Sequence, residues 1–552
     1  MTQADNDVLL AVEGLRIRFD GPAAEAEKTG GTGQDVVRGV SFCLRRGRVL
    51  GIVGESGSGK SLTARALMGL LPAGARICGG TIEYGGNNLA GLDDDAMRLL
   101  RGRRIAMLFQ DPLSSFNPLH RIGRQIGETL AVHSGWKTAR IRRRVASLLE
   151  QAGMDEPQRI MDSFPHQLSG GQRQRAMLAM ALAGGPEILI ADEPTTALDA
   201  AVQRQVIDLL LALRASLGLS LVVISHDLPM MRLLADDLCV MQDGCVVESG
   251  PAERVFAAPQ HPYTRMLLDS GADEQPVPVD AAAPEVLRVQ GLDVRYPAGQ
   301  ALPFTPRRYH HAVRDVSFTV RRGECLGVVG ESGSGKSSLG LAVLRLIRSQ
   351  GSILFEGAPL HTLDEKQLRP RRSRLQIVFQ DPLAALNPRL SVQECIAEGL
   401  HARGELSRAE TEERVIRAMR EVELDPAMRH RYPHEFSGGQ CQRVCLARAL
   451  VMQPGCIVFD EPTSSLDRNT QFQVVRLLRA LQQRHGMAGI FIAHDLSLVR
   501  RICHRVLVMQ GGQVVEAGDT ATVFAAPRHA YTRRLLEAAP AGLQSAAGGI
   551  TG

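Results

Sequence analysis

The chain has 552 residues, too many for one hydrophobic core, so two to four domains are expected. Lys plus Arg (64) against Asp plus Glu (59) leaves a net charge of +5, too small at this length to point to nucleic acid as a partner. Mean hydropathy sits near zero, and no run approaches the roughly 18–20 apolar residues that span a bilayer, which excludes a helical membrane-spanning protein.

In chain order, the start Met1 to Asp7 is polar and acidic, with no signal-peptide pattern. Gly21 to Gln34 is irregular and reads as an exposed loop. Val49 to Val53 is an apolar run that reads as a buried strand, and Ser61 to Leu71 reads as a helix stopped by Pro72. Between them stands Gly54-Glu55-Ser56-Gly57-Ser58-Gly59-Lys60-Ser61, the phosphate-loop pattern in the context that it needs. Its glycines let backbone N–H groups curl round an anion, and the following helix presents the positive end of its dipole. Lys60 suits the β- and γ-phosphates, and the Ser61 hydroxyl suits Mg2+. One such loop could belong to a kinase or a GTPase.

Further along, the runs Arg101 to Arg104 and Arg140 to Arg144 lack interleaved aromatics and read as solvated faces, as does Arg369 to Arg374. Trp136 is isolated. Ser169, Gly170, Gly171 and Gln172 open a predicted helix, Arg173 to Ala183, whose Met177 and Met180 read as core. Pro186 to Glu193 is an apolar strand ending in two carboxylates. After a phosphate loop in an α/β chain, Asp192 suits Mg2+ and Glu193 suits the water that attacks a γ-phosphate.

The second half repeats the first. Gly330 to Ser337 matches the first loop letter for letter, with Ser332, Gly333, Gly335 and Lys336 in the same places. Lys60 and Lys336 are 276 residues apart, and Gln110 and Gln380 are 270 apart. The offset is 268 for Ser169 and Ser437, Asp192 and Asp460, His226 and His494, and Tyr263 and Tyr531. Gly438, Gly439 and Gln440 follow Ser437, and Glu461 follows Asp460. Gly271 to Glu285, rich in Pro, Ala and acid, reads as a linker. The expected domains are therefore 1–270 and 286–552, joined by 271–285. Pro297 to His311 sits where the first half has its early loop. The ten cysteines contain no Cys-x-x-Cys, and Cys441 with Cys445 read as reduced core thiols. His430 and His434 stand four residues apart, a spacing that could bind metal or simply sit on a surface. Alternating strand and helix patterns argue an α/β fold with a parallel sheet.

The ordered set resembles the ATP-binding-cassette ATPases, twice over. Each half carries the phosphate loop, then Phe109-Gln110 or Phe379-Gln380, then Ser-Gly-Gly-Gln and the Asp-Glu strand. Ala197-Leu198-Asp199 or Ser465-Leu466-Asp467 comes next, and Ser225-His226 or Ala493-His494 last. The resemblance implies two tandem nucleotide-binding domains, each with a RecA-like parallel-sheet core, an antiparallel β subdomain and a helical subdomain. It implies ATP and Mg2+, with Gln110 and Gln380 touching the metal and His226 and His494 the γ-phosphate. Phe19 and Tyr296 would stack on adenine, or simply pack in the core. Ser-Gly-Gly-Gln of one cassette would close the loop of the other in a head-to-tail pair.

Phe109 to Pro118, Phe379 to Pro388 and His261-Pro262-Tyr263-Thr264 are similar to the oligopeptide/dipeptide importer class. Arg348 to Ile353 and Arg429 to Pro433 are most similar to its fused Yej-type members, which import peptides and microcin C. That resemblance implies two transmembrane permease subunits, a periplasmic solute-binding protein and a peripheral place on the cytoplasmic face of the inner membrane. The alternatives are import of glutathione or another non-peptide solute, and a soluble twin-cassette ATPase acting on ribosomes or DNA. No cysteine lies between Cys245 and Cys325 or after Cys503, so the iron–sulfur cluster of many relatives is not expected. Phe436 stands for the usual Leu, and Cys441 for the usual Arg, which puts a helix-surface contact in doubt.

Overall fold

A computed structural model describes residues 7–20, 34–55, 57–110, 115–195, 200–268, 275–280, 282–298, 308–404, 406–464, 466 and 468–538. The chain divides into two compact units whose main boundary falls between Ser270 and Gly271. Each is described by itself.

In the first unit, β1 (Val8–Phe19), β2 (Gln34–Arg45), β4 (Ala75–Tyr84) and β5 (Asn87–Asn88) form a four-stranded sheet in the order β2-β1-β4-β5. Its pairings are antiparallel. The second sheet holds β3 (Val49–Val53), β6 (Ile105–Leu108), β7 (Ile188–Asp192), β8 (Ser220–Ser225), β9 (Asp237–Gln242) and β10 (Cys245–Pro251), in the order β10-β9-β3-β8-β7-β6. From β9 to β6 its neighbours run parallel. Every residue of β3, β6, β7 and β8 is buried. Such continuous apolar runs suit a sheet covered on both faces. A separate core gathers the helices Ile122–Ser134, Thr138–Gln151 and Gly170–Leu182 against the sheet.

The second unit repeats this plan. β11 (Glu285–Ala298), β12 (Arg308–Arg321), β14 (Gln350–Phe355) and β15 (Ala358–Pro359) form the antiparallel sheet. β13 (Cys325–Val329), β16 (Leu375–Val378), β17 (Cys456–Asp460), β18 (Ala488–Ile492), β19 (Arg505–Gln510) and β20 (Gln513–Asp519) form the other, in the order β16-β17-β18-β13-β19-β20.

Several sequence expectations need correction. The helix after the first loop spans Lys60–Leu67, not Ser61 to Leu71. Gly69 lies at φ 59°, and Leu70 N–H reaches Arg65 O at 2.9 Å, so a left-handed C-terminal cap ends the helix before Pro72 acts. Arg345 takes that position in the second unit, at φ 55°. The Ser-Gly-Gly-Gln helix begins at Gly170, because Ser169 caps it. Pro297 to His311 is not all loop: Pro297 pairs with Tyr309 and Ala298 with Arg308, while 299–307 and 21–33 lie outside the described residues. In the expected linker, His504 Nε2 sits 2.6 Å from Val277 O, so that stretch lies on the second unit. Cys441 is buried, not on a helix surface: its Sγ lies 3.3 Å from Pro433 O, and burial raises its pKa. His430 and His434 are exposed, in line with the surface reading; they fall in separate 3-10 turns, and His434 stacks on Tyr432. Trp136 is not isolated, since the Arg140 guanidinium lies 4.0 Å from its ring centre.

Candidate functional site

The spatial order β3-β8-β7-β6 brings four sequence-distant residues to one edge of the first unit's parallel sheet. Gly54 follows β3, His226 follows β8, Glu193 follows β7, and Gln110 lies two residues beyond β6. In open α/β sheets this carboxyl edge is where ligands bind. Because β7 lies between β8 and β6, Glu193 is reached from both sides. Gln110 Nε2 donates to Glu193 Oε2 at 2.8 Å, and His226 Nδ1 lies 3.1 Å from Glu193 Oε1. The second unit repeats the triad: Gln380 Nε2 donates to Glu461 Oε2 at 2.9 Å, and His494 Nδ1 lies 3.6 Å from the same oxygen. Glu193 and Glu461 hold left-handed backbones, φ 49° and 46°, with their N–H groups on Ile224 O and Ile492 O. Such angles are uncommon for a non-glycine residue and here turn the chain sharply at the strand end.

The loop itself is closed around its lysine. Lys60 Nζ donates to Gly54 O (2.8 Å), Glu55 O (2.6 Å) and Ser58 Oγ (3.3 Å). Lys336 Nζ donates to Gly330 O (2.8 Å) and Glu331 O (2.9 Å). An ammonium has three donors, so Lys60 must release a loop acceptor to hold a phosphate oxygen. Glycine is required at Gly54 and Gly330: a Cβ there would lie 2.1 Å from Met241 O and 2.2 Å from Met509 O. Gly57 and Gly59, and Gly333 and Gly335, also have positive φ. Ser332 lies in the second loop, while Ser56 is outside the described residues, as are Ala197 to Asp199, Ser465 and Asp467.

Ser61 Oγ donates to Asp192 Oδ1 at 2.9 Å, and Ser337 Oγ to Asp460 Oδ1 at 2.9 Å. Burial, with a smaller push from Glu193, raises the pKa of Asp192 against the opposing Ser61 bond. Asp460 is raised the same way, by burial first and Glu461 second. A buried carboxylate costly to ionise, bonded to a hydroxyl, is an oxygen-donor pair that fits a hard divalent cation such as Mg2+. In the second unit burial alone would raise Glu461 and lower His494. Their mutual attraction outweighs it, so Glu461 is lowered and His494 raised.

Ser169 and Ser437 are exposed and cap their helices. Gln172 N–H and Gln440 N–H reach the serine hydroxyls at 3.2 and 3.3 Å, and each glutamine side chain returns to the serine N–H at 3.0 Å. Gly170, Gly171, Gly438 and Gly439 form the first turns. Tyr296 is 38% exposed, with its hydroxyl 3.3 Å from Ser338 Oγ, beside the second loop. Phe19 is half-buried at the end of β1, paired with Gln34 and Ala75.

Sequence reasoning passed over two groups. Ser58 is buried beside Lys60 and was given no role. Tyr263 and Tyr531, equivalent in the repeat, accept the Glu55 and Glu331 N–H groups at 3.0 and 2.9 Å. The unbroken 268-residue offset was the available signal, but it carries no direction in space.

The ABC transporter family signature matches residues 37–196 and 313–464, more than half the chain. The chain belongs to the ABC transporter family. It is an ATPase of that family with two cassettes. The signature of the oligopeptide/dipeptide transporter C-terminal region also matches twice, at residues 247–283 and 515–547. An uncharacterized ABC transporter ATP-binding protein YejF of Escherichia coli K12 is 47% identical over 96% of this chain and 99% of its own. A peptidoglycan transport ATP-binding protein YejF of Agrobacterium fabrum is 47% identical over 98% of each. A glutathione import ATP-binding protein GsiA of Salmonella typhimurium is 42% identical over 98% of this chain and 90% of its own.

Proposed function

We propose that this chain is the ATP-hydrolysing subunit of an importer that carries peptides or peptide-like compounds across the bacterial inner membrane. The observation that carries the reading is the glutamate held between glutamine and histidine at the carboxyl edge of a parallel sheet, found in both cassettes. In this reading residues 1–270 and 286–552 are the two nucleotide-binding domains, and 271–285 joins them.

Gly54, Ser56, Gly57, Gly59 and Lys60 cradle the phosphates of one ATP, and Gly330, Ser332, Gly333, Gly335 and Lys336 those of the other. Ser61 with Asp192, and Ser337 with Asp460, would hold Mg2+, which offsets phosphate charge when bound. Gln110 would add its amide oxygen to the first of these sites and Gln380 to the second. Glu193 and Glu461 accept a proton from, and orient, the attacking water. His226 and His494 keep each glutamate in place and contact the γ-phosphate. Phe19 and Tyr296 stack on the adenines. Ser169 to Gln172 and Ser437 to Gln440, exposed and capped within their own cassettes, each close the opposite loop when the cassettes pair head to tail.

The solute class rests on the matched C-terminal region and on relatives named for peptidoglycan transport and glutathione import, both of which contain peptide bonds. Import requires two transmembrane permease subunits and a periplasmic solute-binding protein as separate chains. Among the described residues no helix is long and apolar enough to cross a membrane, which is consistent with peripheral docking on the cytoplasmic face. The test is affinity purification from native membranes with ATP-driven uptake in proteoliposomes. Recovery of permease chains and uptake of short peptides is the expected result. Recovery with ribosomes, or uptake of solutes lacking peptide bonds alone, contradicts the proposal.

A further inference from the structure

We propose that Tyr263 and Tyr531 are positioning residues for ATP, each fixing one peptide of its phosphate loop while the loop lysine changes partners. The inference rests on reading the loops as phosphate sites. It concerns the peptide between the first glycine and the glutamate. In the first cassette that peptide is held at both poles. Lys60 Nζ donates to its carbonyl, Gly54 O, at 2.8 Å, and its N–H, on Glu55, donates to Tyr263 Oη at 3.0 Å. In the second, Lys336 Nζ donates to Gly330 O at 2.8 Å, and Glu331 N–H donates to Tyr531 Oη at 2.9 Å. Lys60, with three loop acceptors, must release one of them to hold phosphate. Tyrosine has no such second task, so its bond persists and preserves the loop's shape.

The tyrosines are themselves fixed, and in the same way twice. Tyr263 and Tyr531 are buried, at 5% and 2% exposure. They lie in the helices Pro262–Leu268 and Ala530–Ala538, which follow β10 and β20 after a short intervening helix, Ala252–Ala257 or Thr520–Ala525. Glu248 on β10 accepts the N–H groups of Gln260 and His261 at 2.9 and 3.0 Å, and His261 Nδ1 accepts Tyr263 N–H at 3.2 Å. Glu516 on β20 accepts those of Arg528 and His529 at 2.8 and 3.1 Å, and His529 Nδ1 accepts Tyr531 N–H at 3.2 Å. All eight residues lie within the stretches that match the oligopeptide/dipeptide transporter C-terminal region. That region is thereby tied to the ATP site, 208 residues away in sequence in the first cassette and 200 in the second.

A tyrosine that only completes the core would affect stability and nothing else. A positioning tyrosine affects nucleotide binding equally in ground and transition states, which raises KM and spares kcat. The test is Tyr263→Phe with Tyr531→Phe, which keeps both rings. ATP affinity is measured in the Glu193→Gln, Glu461→Gln background, and KM and kcat with both glutamates restored. Loss of one such hydrogen bond predicts roughly three- to tenfold weaker ATP binding, with KM rising in step. Each single phenylalanine variant should weaken one of the two sites. A lowered Tm with unchanged affinity and KM overturns the proposal. Lys60→Ala with Lys336→Ala separates the two readings. If the lysine variant still binds ATP as tightly as the parent, the phosphate-site reading fails. If it loses ATP while the phenylalanine variant does not change, only the positioning role fails.

Discussion

Ser61 Oγ and Asp192 Oδ1 meet at 2.9 Å although 131 residues separate them, and Ser337 and Asp460 repeat the contact at the same distance across 123. One side chain lies in the first turn of the helix after the phosphate loop, and the other ends the strand that leads into the glutamate. Each pair is a hydroxyl with a carboxylate, buried at Asp192 and half-buried at Asp460, which suits a hard cation. Hydrolysis should therefore need Mg2+ and stop when EDTA removes it. Asp192→Asn with Asp460→Asn should weaken Mg2+ by about 10- to 100-fold. A Mg2+ titration of ATPase rate measures this, and an unchanged midpoint would contradict the assignment.

Head-to-tail pairing has its own signature. Lys60 should share a site with Ser437, and Lys336 with Ser169. Lys60→Ala with Ser437→Arg should cripple one site and leave much of the binding at the other. Lys60→Ala with Ser169→Arg should damage both. Residues that act as one unit give losses that do not add. ATP stoichiometry and single-turnover hydrolysis give the answer, and non-additivity between Lys60 and Ser169 would reverse the pairing.

Acid should loosen the segments that carry the tyrosines. Burial alone would raise the Glu248 carboxyl, but the Thr264 hydroxyl beside it and the N–H groups of Gln260 and His261 outweigh that and lower it. Glu516 is lowered by Thr532, Arg528 and His529 against the same burial. A lowered carboxyl stabilises the fold above its unfolded pKa, with a reference of 4.5 here, and the gain disappears as pH falls through the folded value. Glu248→Gln with Glu516→Gln should lower Tm most near neutral pH, and the gap from the parent should close as pH falls through the lowered folded values. A gap that widens in acid has the wrong sign for this account.

Much of the site was legible because its parts are local. The loop, the buried strand before it and the two acids ending Ile188–Asp192 and Glu193 are short patterns whose chemistry follows from spacing. Their repetition named the partners. What was not legible depends on long-range order. That Glu193 lies between Gln110 and His226 follows from β7 pairing between β6 and β8, which no local pattern encodes. The contact of Tyr263 with Glu55 is hidden for the same reason. Cys441 was legible as a core thiol, but its neighbour was not: its side chain faces Pro433. Helix ends were misplaced where a left-handed cap decides them. Gly69 hints at its cap, whereas Arg345 gives no hint.

The measurement that bears most directly on the central claim is the Glu193→Gln, Glu461→Gln double variant. Glutamine keeps the size of each side chain and one acceptor oxygen but cannot take a proton from water. The loops and their lysines are untouched, so ATP should bind at both sites and remain intact. Phosphate release should fall by at least about a hundredfold, the scale of a lost general base. Retained ATP with near-zero turnover is the result this account requires. Phosphate release at the rate of the parent protein would show that neither glutamate serves the chemistry, and the account would be wrong.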